Sequence, residues 1–181
     1  MKKILIITVS AISVIILVMF GLRTFTQSHS PRETVSIENK VTLTYCRPYK
    51  NDREIFGDLV PYNQVWRTGA NKATLFEVQE PIRMGSIALD PGSYSIWTIP
   101  GKEEWTIILN SETGQWGVNM NNEANMDESY EVGRVKSKII PLDDPIEQFT
   151  MLFEEEADTG KYSLVLMWDK VLVNVPIELN N

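Results

Sequence analysis

The stretch Asp90-Pro91-Gly92-Ser93-Tyr94-Ser95-Ile96-Trp97-Thr98-Ile99-Pro100-Gly101-Lys102-Glu103-Glu104-Trp105-Thr106-Ile107-Ile108-Leu109 decides the fold class of this chain. Asp-Pro-Gly and Pro-Gly are turn signals, because proline presets φ at the first corner of a turn and glycine accepts a positive φ at the second. Ser93 to Ile99, lying between those turns, is rich in β-branched and aromatic residues, and Trp105 to Leu109 answers it on the far side. Sequential antiparallel strands are the expectation. Asn110 to Gly114 turns the chain once more, before Gln115-Trp116-Gly117-Val118.

The same period recurs on both sides. Val41-Thr42-Leu43-Thr44-Tyr45 and Thr74-Leu75-Phe76-Glu77-Val78 alternate apolar with polar, as a strand with one buried face does. Tyr130 to Ile139 reads as a further strand. Ile146 to Glu154 fits two periods, with Phe149, Met151 and Phe153 on a strand face and Ile146, Phe149 and Phe153 on a helix face; its neighbours favour the strand. Tyr162 to Trp168 and Val171 to Leu179 are expected as a final pair joined by Asp169-Lys170. About nine or ten short strands with little helix predict an all-β fold, an antiparallel β-sandwich of jelly-roll or immunoglobulin-like type, with a closed barrel as the alternative.

Ahead of this domain, Met1-Lys2-Lys3 precedes an apolar run from Ile4 to Leu22 that contains no charged residue; the next charge is Arg23. A secretory apolar region is about 7–15 residues long and a bilayer span needs about 20, so residues 1–23 are expected to form an uncleaved transmembrane signal-anchor. The lysine pair places the N-terminus in the cytoplasm. Residues 24–31 are then a small polar linker, and residues 32–181 a single domain on the extracytoplasmic, periplasmic side of a bacterial cell membrane. The alternative is cleavage around Thr26 to Ser28, which would release a secreted protein.

Composition removes several function classes. Without Lys2, Lys3 and Arg23 the chain keeps 14 basic residues against 24 acidic, a net charge near −10, which opposes nucleic acid as a partner. Cys46 is the sole cysteine, so no intramolecular disulfide forms and no lipid-modified cysteine follows the apolar run. Beside Arg47 its thiol is conceivable as a nucleophile, but no histidine partners it, and a small buried hydrophobe is expected. The sole histidine, His29, lies in the linker, which argues against a Ser-His-Asp triad or a histidine-rich zinc site. Residues 119–129 carry many oxygen ligands without the spacing of a calcium loop, and are expected as a solvated loop. Neither metal nor cofactor is expected. The acidic pairs Glu103/Glu104 and Asp143/Asp144 and the run Glu154 to Glu156 are sequence neighbours, which point to opposite faces of a strand and do not make a catalytic pair.

Recognition chemistry concentrates in Val60-Pro61-Tyr62-Asn63-Gln64-Val65-Trp66-Arg67-Thr68-Gly69-Ala70-Asn71. Pro61 and Gly69 fold this loop, bringing Tyr62, Trp66, Arg67 and Asn71 together. Arg67 offers a planar fork of donors that suits a carboxylate or phosphate. Two readings follow: a structural arginine paired with a core carboxylate, which the residues favour, or a ligand contact. Of the five tryptophans, Trp168 and one of Trp97 and Trp105 at least are expected in the core, while Trp66 and Trp116 flank turns and suit a rim. Tyr62, Trp66, Arg67, Asn71 and Trp116 are the candidate ligand-binding residues.

Cys46-Arg47-Pro48, Arg53-Glu54-Ile55-Phe56-Gly57, Leu59-Val60-Pro61-Tyr62, Val65 to Asn71, Pro91-Gly92-Ser93-Tyr94-Ser95, Ile99-Pro100-Gly101 and Gln115-Trp116-Gly117 occur in this order. Together they resemble the bacterial domain-of-unknown-function family 2911 over roughly residues 30–177. The resemblance implies a secreted or envelope-attached β-domain and brings no established activity, leaving the function open. The reading is therefore a membrane-anchored, non-catalytic binding module for envelope glycan, a small anion or a protein partner. Its rivals are a cofactor-free hydrolase using carboxylates and a purely structural interaction domain.

Overall fold

The computed structural model describes residues 12–19, 21, 29–157 and 161–179. Ten strands follow one another: β1 (Arg32–Ile37), β2 (Val41–Cys46), β3 (Thr74–Val78), β4 (Ile82–Met84), β5 (Ile87–Leu89), β6 (Gly92–Pro100), β7 (Glu104–Asn110), β8 (Glu131–Lys138), β9 (Ile140–Glu156) and β10 (Lys161–Leu179). All named pairings are antiparallel, in a six-stranded sheet ordered β1-β2-β3-β6-β7-β8 and a four-stranded sheet ordered β5-β4-β10-β9. The result is a β-sandwich. Its core takes Leu43, Phe76, Ile96 and Ile107 from the first sheet and Met84, Leu89, Met151, Leu166 and Val175 from the second.

Proline stands where the chain changes sheet. Pro81 lies between β3 and β4, and Pro91 between β5 and β6; a residue without an N–H cannot carry a ladder onward. On another side β8 runs into β9 through Ile139 alone. There the Ser137 hydroxyl donates to the Asn174 carbonyl at 2.8 Å and ties β8 to β10. Along the opposite seam the Tyr45 hydroxyl donates to the Met151 carbonyl at 2.9 Å and accepts from the Met151 N–H at 2.8 Å, joining β2 to β9. Burial pushes the Tyr45 pKa up, so that hydroxyl stays protonated and keeps both bonds.

The expected hairpin across Asp169-Lys170 does not form. Residues 161–179 are one strand, with register shifts against β9 on both sides of Asp169, whose φ is 51°. An aspartate that tolerates positive φ serves a bulge as readily as a turn, so the two are alike in sequence. Ile146 to Glu154 is strand, as its neighbours indicated, inside the longer β9. Pro141 and Pro145 are tolerated there because β9 is a sheet edge. Strands β1, β4 and β5 were not foreseen; β4 and β5 have three residues each and join through Gly85 at φ 57°, packed on Val135. Gln115 to Val118 is no strand, and its β-pairing is limited to the isolated bridges Lys72 to Trp116 and Val118 to Ala124 among the described residues.

Most of the run from Ile4 to Leu22 lies outside the described residues; residues 12–19 of it are helical. Among the described residues no helix is long and apolar enough to cross a membrane.

Trp97 and Trp105 are both buried, on opposite faces of the six-stranded sheet. Trp105 faces the inter-sheet core, whereas Trp97 forms a second cluster with Ile108 and Ala73, covered by Val65, Ala124 and Met126. The cover is supplied by the two long connections, residues 47–73 and 111–127. These loops carry the site.

Candidate functional site

The loop is anchored at Trp66. Its N–H donates to the Thr98 carbonyl at 2.7 Å and its carbonyl accepts from the Thr98 N–H at 2.9 Å, extending the pairing of β6 beyond β3. The residue is 8 % exposed. It stacks on Trp168 at 6.0 Å and 15°, and meets Trp105 and Phe149 edge-on. Trp66 is thus a core residue and not a rim platform, because the local pairing with Thr98 turns it inward despite the adjacent turn.

Two residues on, Thr68 is fully buried with φ 54°. For a β-branched residue this conformation costs ~1–3 kcal/mol and needs support from its surroundings. Support comes from the Thr68 hydroxyl, which donates to Thr98 Oγ1 at 3.1 Å, and from the Thr74 hydroxyl, which donates to the Thr68 carbonyl at 2.7 Å. Gly69 follows at φ 136°, where a Cβ would stand 2.7 Å from the Cys46 carbonyl oxygen. Only glycine fits that approach. Asn71, at φ 63°, then accepts from the Gly117 N–H at 2.8 Å, which brings the second loop alongside.

Arg67, held between these constraints, lays its stem across Gly117. A Cβ at position 117 would stand 2.7 Å from Arg67 Cβ and 2.9 Å from Cγ, so the glycine makes room for the arginine. The Nε atom is buried and has no hydrogen-bond partner. Burial lowers the pKa of this guanidinium, and the neighbouring Cys46 opposes that shift; the group remains a cation at any physiological pH. The core carboxylate required by the structural reading is absent: among the described residues no Asp or Glu forms an ion pair with Arg67. Other arginines differ. Arg47 pairs with Glu33 and donates to Phe149 and Thr150, Arg53 donates to the Lys50 and Tyr49 carbonyls, Arg134 pairs with Glu131, and Arg83 with Glu178.

Arg67, Trp66 and Leu59 form a wall shared by two cavities. One, of about 570 Å³, is completed by Asp58, Gln64, Val118 and Glu123. The other, of about 310 Å³, is completed by His29, Asn51, Arg53, Asn71 and Trp168, and among the described residues no carboxylate lines it. Of the five residues singled out in the sequence, Trp66, Arg67 and Asn71 therefore come together. Tyr62 packs instead against Gly57, with Lys102 Nζ 5.8 Å from its ring centroid, and Trp116 is 49 % exposed; neither lines these cavities. Sequence reasoning missed Asp58, Arg53 and Glu123. Glu123 comes from the segment read as a solvated loop, and Gly117 was the available signal that this loop closes on another.

Cys46 is partly exposed, contrary to the buried hydrophobe expected, and lines a separate recess of about 240 Å³ with Arg32 and Lys72. Among the described residues no group of three or more His, Cys, Asp and Glu side chains could hold a metal ion.

Fold and loops define an antiparallel β-sandwich that carries an arginine-centred pair of cavities on one side. Residues 30–177 match the family model described as Protein of unknown function (DUF2911), and the chain belongs to that family. No curated protein and no solved structure matches it.

Proposed function

We propose that this protein is a non-catalytic binding module, tethered to the outer side of a bacterial cell membrane by residues 4–22, whose ligand presents a carboxylate or phosphate to Arg67. One observation carries the reading: a half-buried arginine, with a buried, orphaned Nε and no acidic partner among the described residues, lines two cavities. A partly desolvated cation left unpaired carries a cost, and an anionic ligand would supply the missing charge and hydrogen bonds. The smaller cavity supports this, since Arg53 and two asparagines join Arg67 there without a carboxylate. Acidic glycan, a small anion and a carboxylate on a partner protein share this chemistry. The uninterrupted apolar run and the lysine pair before it support the location.

A carboxylate hydrolase is the second reading, because Asp58 and Glu123 line one cavity. Both are exposed, whereas a general acid at neutral pH needs a desolvated carboxyl, so binding is the better account. Thermal unfolding and calorimetry of the full chain with succinate, glucuronate and inorganic phosphate provide the test. A rise in the melting temperature with at least one of them, lost in Arg67→Ala, is the expected result. No response to any of the three nor to a zwitterionic carboxylate such as dialanine, or an equal response in Arg67→Ala, would overturn the proposal.

A further inference from the structure

Resting on that anion-binding reading, we infer that the ligand is a small zwitterion of amino-acid to short-peptide size, its carboxylate on Arg67 and its ammonium toward Asp58 and Glu123. The larger cavity carries the argument. Around it stand one guanidinium without an acidic partner and two carboxylates without a basic one among the described residues, none of them paired with another. A purely anionic ligand there meets two like charges, and a multiply charged phosphate is opposed most. A ligand carrying both signs satisfies all three groups.

The two acids reach the cavity from separate loops. Asp58 belongs to the connection that carries Arg67. Glu123 is fixed from the other side: its Oε2 accepts from Asn119 Nδ2 at 3.0 Å, and its backbone N–H donates to Asn119 Oδ1 at 3.1 Å. Size fits as well. About 570 Å³ lies within the range of small-molecule pockets and exceeds what a single ammonium or carboxylate ion fills. The remaining lining is mixed: Leu59, Pro61, Val65 and Val118 suit methyl or methylene groups between the two charged ends, and Gln64 and Asn122 can hydrogen-bond an amide or carboxylate.

The test is calorimetry of the full chain, purified with detergent present, against dialanine, N-acetyl-dialanine and dialanine amide, with succinate and phosphate alongside. Dialanine is expected to bind, and blocking either terminus to weaken it about tenfold or more, the scale of one lost charge-assisted contact. Asp58→Asn with Glu123→Gln should remove the preference over the N-acetyl form, while Arg67→Ala removes binding. N-acetyl-dialanine binding as tightly as dialanine would overturn the zwitterion and leave anion binding standing. So would binding of succinate or phosphate with none of the three peptides. Dialanine amide binding as tightly as dialanine, or no binding by any compound, would overturn both.

Discussion

Gly117 and Arg67 are in such close register that a single methyl group at position 117 would fall within the volume of the arginine stem, 2.7 Å from its Cβ and 2.9 Å from its Cγ. The two residues come from different loops, so their contact fixes the shared wall of both cavities. Gly117→Ala should therefore push Arg67 from its place, costing ~1–3 kcal/mol as overpacking does and removing ligand-induced stabilisation. In an Arg67→Ala background the same change should cost less, because Cγ and the atoms beyond it are gone. A double-mutant cycle by urea denaturation measures the coupling. Additive costs would show that Gly117 serves its own backbone alone.

Arg67→Ala tests the missing carboxylate. Had an acidic partner been present, truncation would strand a buried charge and cost ~3–5 kcal/mol. With none among the described residues, the change should leave the unfolding free energy within about 1 kcal/mol of the parent, the packing lost by the stem being offset by the desolvation relieved. Arg67→Met, which keeps the stem and drops the charge, should be at least as stable as the parent. A large loss in both variants would reveal a structural role.

Trp66→Ala separates the core from the rim. Stacked on Trp168 and edge-on to Trp105 and Phe149, the indole should cost ~3–5 kcal/mol when removed. Trp116→Ala, at a half-exposed indole, should stay within about 0.5 kcal/mol. Equal costs at the two sites, measured by chemical denaturation, would contradict the placement of Trp66.

These contrasts show how far the chain was legible. Alternation and turn chemistry located β2, β3, β6 and β7, since a strand with one buried face writes its period into the sequence. β4 and β5 are too short to show a period, and Asp169 writes the same sign for a bulge as for a turn. In the site, local density flagged Trp66, Arg67 and Asn71, which lie on one loop. Asp58 and Glu123 were out of reach, because their meeting depends on two loops folding over the outer face of one sheet around Trp97 and Ile108. The burial of Trp66 was hidden for a related reason: its partners Trp105, Phe149 and Trp168 are distant in sequence, and the turn beside it pointed the other way.

The location can be settled from the chain's own N-terminus. From Ile4 to Leu22 no charge interrupts the apolar run, which is longer than a secretory apolar region of about 7–15 residues and close to the ~20 residues of a span. Lys2 and Lys3 favour an N-terminus held in the cytoplasm, with Arg67 and its cavities on the far side. The expected outcome is that the mature protein, recovered from the membrane fraction, still contains residues 1–23 by N-terminal sequencing or intact mass. Protease added outside spheroplasts should degrade the domain while a tag ahead of Met1 stays protected. A mature chain that begins near Ser28 would replace the anchor with a cleaved signal, and a domain protected from external protease would reverse the orientation.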